Sequence, residues 1–484
     1  FWGNISSGDT ACLIMWITVL SSSCVILPGS TTGMYLSKPM AKLPLLFDPD
    51  STSDWLITAD GTLSPKDFMG RVASLRSRLP TTHYVLNLCE DRLNFMLGFV
   101  TAVANGQTVL LPSNRSVGAV QELVLEYPDS LVLTDIIEVP GSVRQFRLDA
   151  LDIEPVADAP TNTLIDADHL AAIVFTSGST GKAQPNQKTW GSLVRGVELA
   201  RARFGFGEQA SILATVPPQH MYGLETTIMT PLVTGARVYT GRPFFAEDIR
   251  QALNRLEGER VLVTTPIHLR ACQAAGLEWP AVDTVISATA PLAPQLAAEC
   301  EAVFRAPVKE IYGCTEAGSL ASRRLSVSPL WQLYDDFILH FEDGLALIDA
   351  PHLPELVPLS DVIEQDDERH FHLQGRHTDM VNIAGKRASI SDLSHRLNNV
   401  KGVEDGVFIL PSTTDAKVGR LAALVVAPER DEREILKELS KNIDPVFLPR
   451  PIYRVGALPR NETGKLPRQA VLDLLERLGQ NDGL

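Results

Sequence analysis

From Leu45 onward, short apolar runs alternate with helical patterns, and this alternation constrains the fold more than any other feature. Residues 84–89, 107–111, 130–134, 170–175, 210–216, 237–240, 261–264, 284–288 and 308–312 each predict a strand. Residues 92–105 predict a helix, with Phe95, Phe99 and Val103 on one face. Strands that are apolar throughout are buried on both faces, and helices between them imply parallel sheets. The expected class is therefore α/β. A chain of 484 residues exceeds one ordinary core, so two or three domains are expected. Ligands in such folds collect where strands end and loops begin, which directs attention to the loops after Phe175, Val216, Ala288 and Tyr312.

The first of these loops is chemically distinctive. The run Ile173-Val-Phe-Thr-Ser-Gly-Ser-Thr-Gly-Lys182 empties an apolar strand into small hydroxyl residues, glycines and a cation. Glycines let backbone approach an anion, hydroxyls donate hydrogen bonds and the lysine adds charge. A phosphate cradle and an ordinary Gly/Ser turn both fit this composition. The common P-loop does not fit. It needs four residues between its first glycine and the Gly-Lys pair, then Ser or Thr for magnesium. Here Gly178 is followed after two residues by Gly181-Lys182, and then by Ala183.

Charge and cysteine usage narrow the classes further. A net charge of −15 argues against nonspecific nucleic-acid binding, which needs a basic surface. Cys12, Cys24, Cys89, Cys272, Cys300 and Cys314 contain no CxxC pair, which suits reduced cytoplasmic thiols better than disulfides or zinc. Residues 1–40 form an atypical apolar leader that begins with Phe1, and Asp9 is its only charge before Lys38. Three readings compete for it: a start at Met34 or Met40, a membrane anchor over residues 11–28, or a cleaved signal.

The character changes near residue 378. From Met380 on there are 16 basic and 14 acidic residues, while the rest of the chain carries 27 against 44. The expected division is a large domain over 41–378 and a small carboxy-terminal domain over 379–484. Within the latter, residues 441–468 hold six basic and two acidic side chains, either a solvated face or a docking surface for something anionic.

Four further motifs bear on one chemistry. Ile311-Tyr312-Gly313-Cys314-Thr315-Glu316 ends a strand in an aromatic that can stack on a base, a hydroxyl for a phosphate oxygen and a carboxylate for Mg2+. Asp361, in Pro358-Leu359-Ser360-Asp361-Val362, can accept both ribose hydroxyls. Gly375-Arg376-His377-Thr378-Asp379 is followed by Gly385-Lys386-Arg387. Lys465 rides on a glycine-containing loop in the run from Leu458 to Arg468. Singly, each is compatible with a cap, a turn or a solvated side chain.

Together and in this order they resemble the adenylate-forming family: acyl-CoA synthetases, aryl-acid and carrier-protein ligases, luciferases and peptide-synthetase adenylation domains. The resemblance runs from roughly Leu45 to Leu475. It implies a large domain of layered parallel sheets with a small barrel-like part, and a small mobile α+β carboxy-terminal domain. It implies ATP with Mg2+, and CoA or a phosphopantetheine thiol as acyl acceptor. By the same resemblance, Thr176, Ser177, Gly178, Ser179, Thr180, Gly181 and Lys182 would enclose the β- and γ-phosphates. Tyr312, Gly313, Ala288, Thr289 and Ala290 would hold adenine. Thr315 would touch the α-phosphate and Glu316 the metal. Asp361 and Arg376 would grip the ribose, Asp379 would be the hinge, and Lys465 would bridge the acid and the nucleotide.

The chain departs from the family's pattern in three places. Asn382 stands where a lysine is usual, Ser360 replaces a glycine, and the phosphate loop runs on into Ala183-Gln184-Pro185-Asn186-Gln187-Lys188 instead of an immediate Pro-Lys. The acid pocket would begin at His220, Met221, Tyr222 and Gly223. Amino-acid-activating relatives carry an aspartate where this chain has Met221, although Glu225 is near. A buried, unpaired ammonium is very costly, so amino acids are disfavoured. His220 and Tyr222 suit a hydroxybenzoate-like aryl acid, with fatty or hydroxy-fatty acids and a non-catalytic nucleotide- or acyl-binding relative as alternatives. The expected partners are a small carboxylic acid and an acyl carrier protein or CoA. A cytoplasmic monomer or homodimer, in a secondary-metabolite or lipid pathway, completes the expectation.

Overall fold

The helix Arg92–Ala104 shows how the sequence builds the centre of the molecule. Asp91 caps it by accepting from the Asn94 N–H, and residues 92–103 are all buried. A helix that is apolar all round must be enclosed. This one lies between two sheets, in a core shared by Val85, Val109 and Val174 of one sheet and Ile212, Val238 and Val263 of the other. The computed structural model describes residues 41–481 except 137–142, 158, 160–162, 178–182, 377–378, 384–385, 412–419, 462–463 and 465; for Ser177, Arg376, Met380, Asn382, Arg387 and 479–481 it describes the backbone alone.

Helices also cover the outer faces. Leu213, Leu262 and Val285 pack against Ile249, Leu269 and Leu296. Leu86, Leu110 and Ile173 pack against Val120 and Leu123. The result is a helix–sheet–helix–sheet–helix stack. Arg92, 1% exposed, stitches its two halves: its guanidinium donates to the carbonyls of Val216 and Tyr239 at 2.9 Å and Gly241 at 3.0 Å. Burial lowers its pKa to about 10.

The expected strands are present, but the sheets are mixed instead of wholly parallel. The six-stranded sheet runs Ala183–Thr189, Leu170–Ser177, Thr108–Leu111, Tyr84–Asn87, Ser130–Thr134, Gln145–Arg147, and its first strand is antiparallel. In the eleven-stranded sheet, Arg237–Tyr239, Ala210–Ala214, Glu259–Thr264, Thr284–Ser287 and Val308–Cys314 lie parallel, and everything beyond Cys314 is antiparallel. The reason is connection length. The links 178–182 and 315–317 are too short for a parallel crossover, which needs a dozen or more residues.

Beyond Cys314 the sheet curls. Tyr312 reaches Asp361 across three intervening strands, about 19 Å in a flat sheet. The strands between wrap one core of Tyr312, Trp331, Leu333, Phe337, Ile348 and Phe371. This curled, open antiparallel segment is the barrel-like part.

Residues after Met380 build apolar cores of their own. In the three-stranded sheet Asp405–Ile409, Ala422–Val426, Ile452–Arg454, Ala423 and Val425 face Leu393, Leu397 and Ile435, while Leu424 and Val426 face Leu458 and Val471. Period-two alternation between two helical layers makes this segment α+β.

Candidate functional site

The strands that flank the hydroxyl-glycine run are antiparallel neighbours. Ser177 pairs with Ala183, so residues 178–182 join two antiparallel strands. A P-loop instead runs from strand into helix, so topology as well as spacing excludes it. Half-buried Thr176 closes the first strand; Gly178, Ser179, Thr180, Gly181 and Lys182 lie outside the described residues.

The turn after Val308–Cys314 is tightly determined. Gly313 opposes Ser319, and a Cβ at Gly313 would lie 2.4 Å from the Gly318 carbonyl oxygen. Glu316 is exposed at this turn and Thr315 half-buried. The Cys314 thiol is pushed up to about 12, mainly by burial, so it is no nucleophile. Tyr312 packs against Trp331 and Phe371, and its hydroxyl donates to Asp361 Oδ2 at 2.9 Å. Asp361 stands directly opposite Arg376 across an antiparallel ladder. The loop from Ser287 to Pro291 follows the neighbouring strand, where Thr289 takes a left-handed φ of 78°. That conformation is unusual for a β-branched residue and typical of functional loops.

The expected acid-pocket segment enters a helix. His220 precedes Met221–Leu224, which continues as a π-helical turn at Glu225–Met229. Gly223 is obligatory, because a Cβ there would lie 1.9 Å from the Pro217 carbonyl oxygen. The Tyr222 hydroxyl sits between the carbonyls of Thr264 at 3.2 Å and Ile286 at 3.1 Å. It is therefore committed to the strand ends, and only the ring is left as a pocket wall. Glu225 is also committed, accepting from Ser319 Oγ at 2.5 Å and Ser319 N–H at 3.2 Å. Burial raises its pKa. A carboxylate engaged in this way is a poor partner for a substrate ammonium.

The loop bearing Lys465 reaches the same end of the sheet. Gly464 (φ 77°) lies against Ile267 and Thr265, just past Glu259–Thr264. Arg460 anchors the loop through Asp405, at 2.7 and 2.6 Å, and the Gly464 carbonyl at 2.6 Å. Lys465 itself is outside the described residues. Asp379 accepts from Ser391 Oγ at 2.8 Å, at the start of the carboxy-terminal segment.

A profile of the AMP-binding enzyme family matches residues 73–335, more than half of the chain. The chain belongs to the AMP-binding enzyme family. It is 28% identical over 333 residues to a 4-coumarate–CoA ligase of Halorhodospira halophila, covering 65% of this chain and 78% of that one. It is 24% identical over 410 residues to an oxalate–CoA ligase of Arabidopsis thaliana, covering 75% and 78%. Among solved structures, an anthranilate CoA ligase in complex with anthranoyl-AMP shares the fold with a TM-score of 0.77 at 14% identity, covering 91% and 99%. The o-succinylbenzoate CoA synthetase of Bacillus subtilis with ATP and magnesium does so at 0.76 and 18%, covering 86% and 96%.

In this AMP-binding enzyme no cluster of three or more metal-ligating side chains occurs among the described residues. One exposed carboxylate, Glu316, with half-buried Thr315 next to it, still fits magnesium that arrives on a nucleotide. That ion keeps waters and takes one or two carboxylates plus phosphates. No described helix is long and apolar enough to cross a membrane.

Sequence reasoning passed over two residues of this site. Lys188, 6% exposed, donates to the Glu316 carbonyl at 2.6 Å, and Ser319 holds Glu225. Period-two alternation could have placed Lys188 on a face with Gln184 and Asn186, but nothing local says that the strand's end is covered.

Proposed function

We propose that this AMP-binding enzyme is an ATP-dependent acid–thiol ligase. It joins a small aryl carboxylic acid to the α-phosphate of ATP, releasing pyrophosphate, and then transfers the acyl group to a phosphopantetheine thiol of CoA or a carrier protein, releasing AMP. The observation that carries the reading is the convergence of Tyr312, Asp361, Arg376 and the Glu316 turn at one end of the curled sheet. The ring and two ribose-binding groups suit adenosine. The names of the relatives, coumarate and succinylbenzoate ligases, support an aryl acid and a CoA-type thiol.

The chemistry brings two anions together. Lys465 would neutralise charge between the acid and the α-phosphate as the pentavalent transition state forms. Magnesium, held by Glu316, would offset phosphate charge and favour pyrophosphate departure. Residues 379–484 would then rotate about Asp379, withdrawing Lys465 and opening a path for the thiol. The direct test is ATP–pyrophosphate exchange with aryl, fatty and amino acids, followed by acyl transfer to CoA or a holo-carrier protein. Exchange with an aryl acid is expected. Exchange with an amino acid alone overturns the pocket assignment, and exchange with none returns a non-catalytic binding relative.

A further inference from the structure

Lys188 closes the hairpin strand Ala183–Thr189, whose other end leads to the hydroxyl-glycine loop. It lies 128 residues from Glu316, yet its ammonium donates to the Glu316 carbonyl at 2.6 Å while only 6% exposed. The far end of the same turn is held by an anion: Glu225, 9% exposed, accepts from both the amide and the hydroxyl of Ser319. Between them Gly318 adopts a φ of 81°, and a Cβ there would sit 2.4 Å from Glu225 Oε1. Burial pushes the Lys188 pKa down and the Glu225 pKa up, and each charge partly offsets the shift of the other. A buried cation and a buried anion are costly to maintain. Here they hold the middle and the far end of the one short turn that presents Glu316.

We propose that Lys188 and Glu225 are positioning residues for magnesium–nucleotide binding: they fix turn 314–319 so that the Glu316 carboxylate is held toward the phosphates of a bound nucleotide. Lys188 thereby locks the two anion-handling elements, hairpin and turn, into one unit. The inference rests on the proposed nucleotide-binding role of Glu316. Supporting groups behind a metal-binding carboxylate typically alter metal affinity 10–100-fold when removed.

The test measures Mn2+ binding by electron paramagnetic resonance in the presence of a non-hydrolysable ATP analogue, adenosine binding by calorimetry, and stability by urea denaturation. Lys188→Met is expected to weaken Mn2+–nucleotide binding by about tenfold or more. Adenosine, which lacks all three phosphates, is expected to bind within about twofold of wild type, and Lys188→Arg to recover part of the loss. The double variant Lys188→Met/Glu225→Gln, with both buried charges removed, is expected to fold and to keep the weakened metal binding. A folded Lys188→Met protein that binds Mn2+–nucleotide like wild type overturns the inference. If the Lys188 variants do not fold, Ser319→Ala decides in the same way, since it loosens the other end of the turn. Absence of Mn2+–nucleotide binding in the wild type overturns the proposed function, and this inference with it; wild-type binding with unchanged variants overturns this inference alone.

Discussion

The Tyr312 hydroxyl donates to Asp361 Oδ2 at 2.9 Å, closing the curl of the large sheet at the position proposed for the ribose. The bond orients a carboxylate that has Arg376 as its ladder neighbour. A hydrogen bond to a charged group contributes roughly 1.5–3 kcal/mol. Tyr312→Phe is therefore expected to weaken ATP binding about tenfold, and Asp361→Ala more strongly, as measured by calorimetry. Unchanged affinity in Asp361→Ala places the ribose elsewhere.

Lys465→Ala is expected to lower adenylate formation by about 10²–10³, the usual effect of losing one electrostatic donor to a transition state. Thiol transfer from synthetic acyl-adenylate is expected to persist, because the proposed rotation withdraws Lys465 before that step. Single-turnover assays of the two steps decide; equal loss in both rejects the two-conformation reading.

Gly223→Ala forces a methyl group to within 1.9 Å of the Pro217 carbonyl oxygen. Overpacking of this kind typically costs about 1–3 kcal/mol, and here it moves the helix bearing Met221 and Glu225. Urea denaturation is expected to show that loss, with a reduced rate of pyrophosphate exchange. Gly118→Ala, in the helix Val117–Glu126 with open space around it, is the control. It is expected to stabilise by about 0.5–1 kcal/mol.

His268 supplies a pH dependence. Burial, with the Arg242 charge adding to it, lowers its pKa from 6.5 to about 4. Between these values the unfolded chain binds more protons than the folded one, so stability falls as pH falls. Its contribution is intact above pH 6.5 and is lost, by roughly 3 kcal/mol, on approach to pH 4. Denaturation across pH 4–7 is expected to show a steeper slope in wild type than in His268→Gln; identical slopes reject the assignment.

Much of the framework was legible because it is local. Residues 130–134 form the strand that their apolar run implies, and the helix expected at 92–105 ends one residue early at Ala104. The hydroxyl-glycine run, Tyr312 to Glu316 and Asp361 were recognisable because each motif is contiguous. The commitments of Tyr222 and Glu225 were not, since their partners Thr264, Ile286 and Ser319 lie 42 to 94 residues away. Nor was the direction of the outer strands, which depends on how short a connection is and not on what its strands contain.

The amino-acid sequence by itself determined the α/β class, the family motifs and the set of groups available for nucleotide chemistry, because periodicity and motif spacing are properties of neighbouring residues. Only the tertiary structure decided that the large sheet curls until Tyr312 meets Asp361, and that the strands on either side of the hydroxyl-glycine run pair antiparallel. It also decided that Lys188 is buried against the Glu316 carbonyl. Each of these depends on which distant segments exclude water from the same space. Burial of that kind takes Lys188 out of solvent and onto a carbonyl 128 residues away.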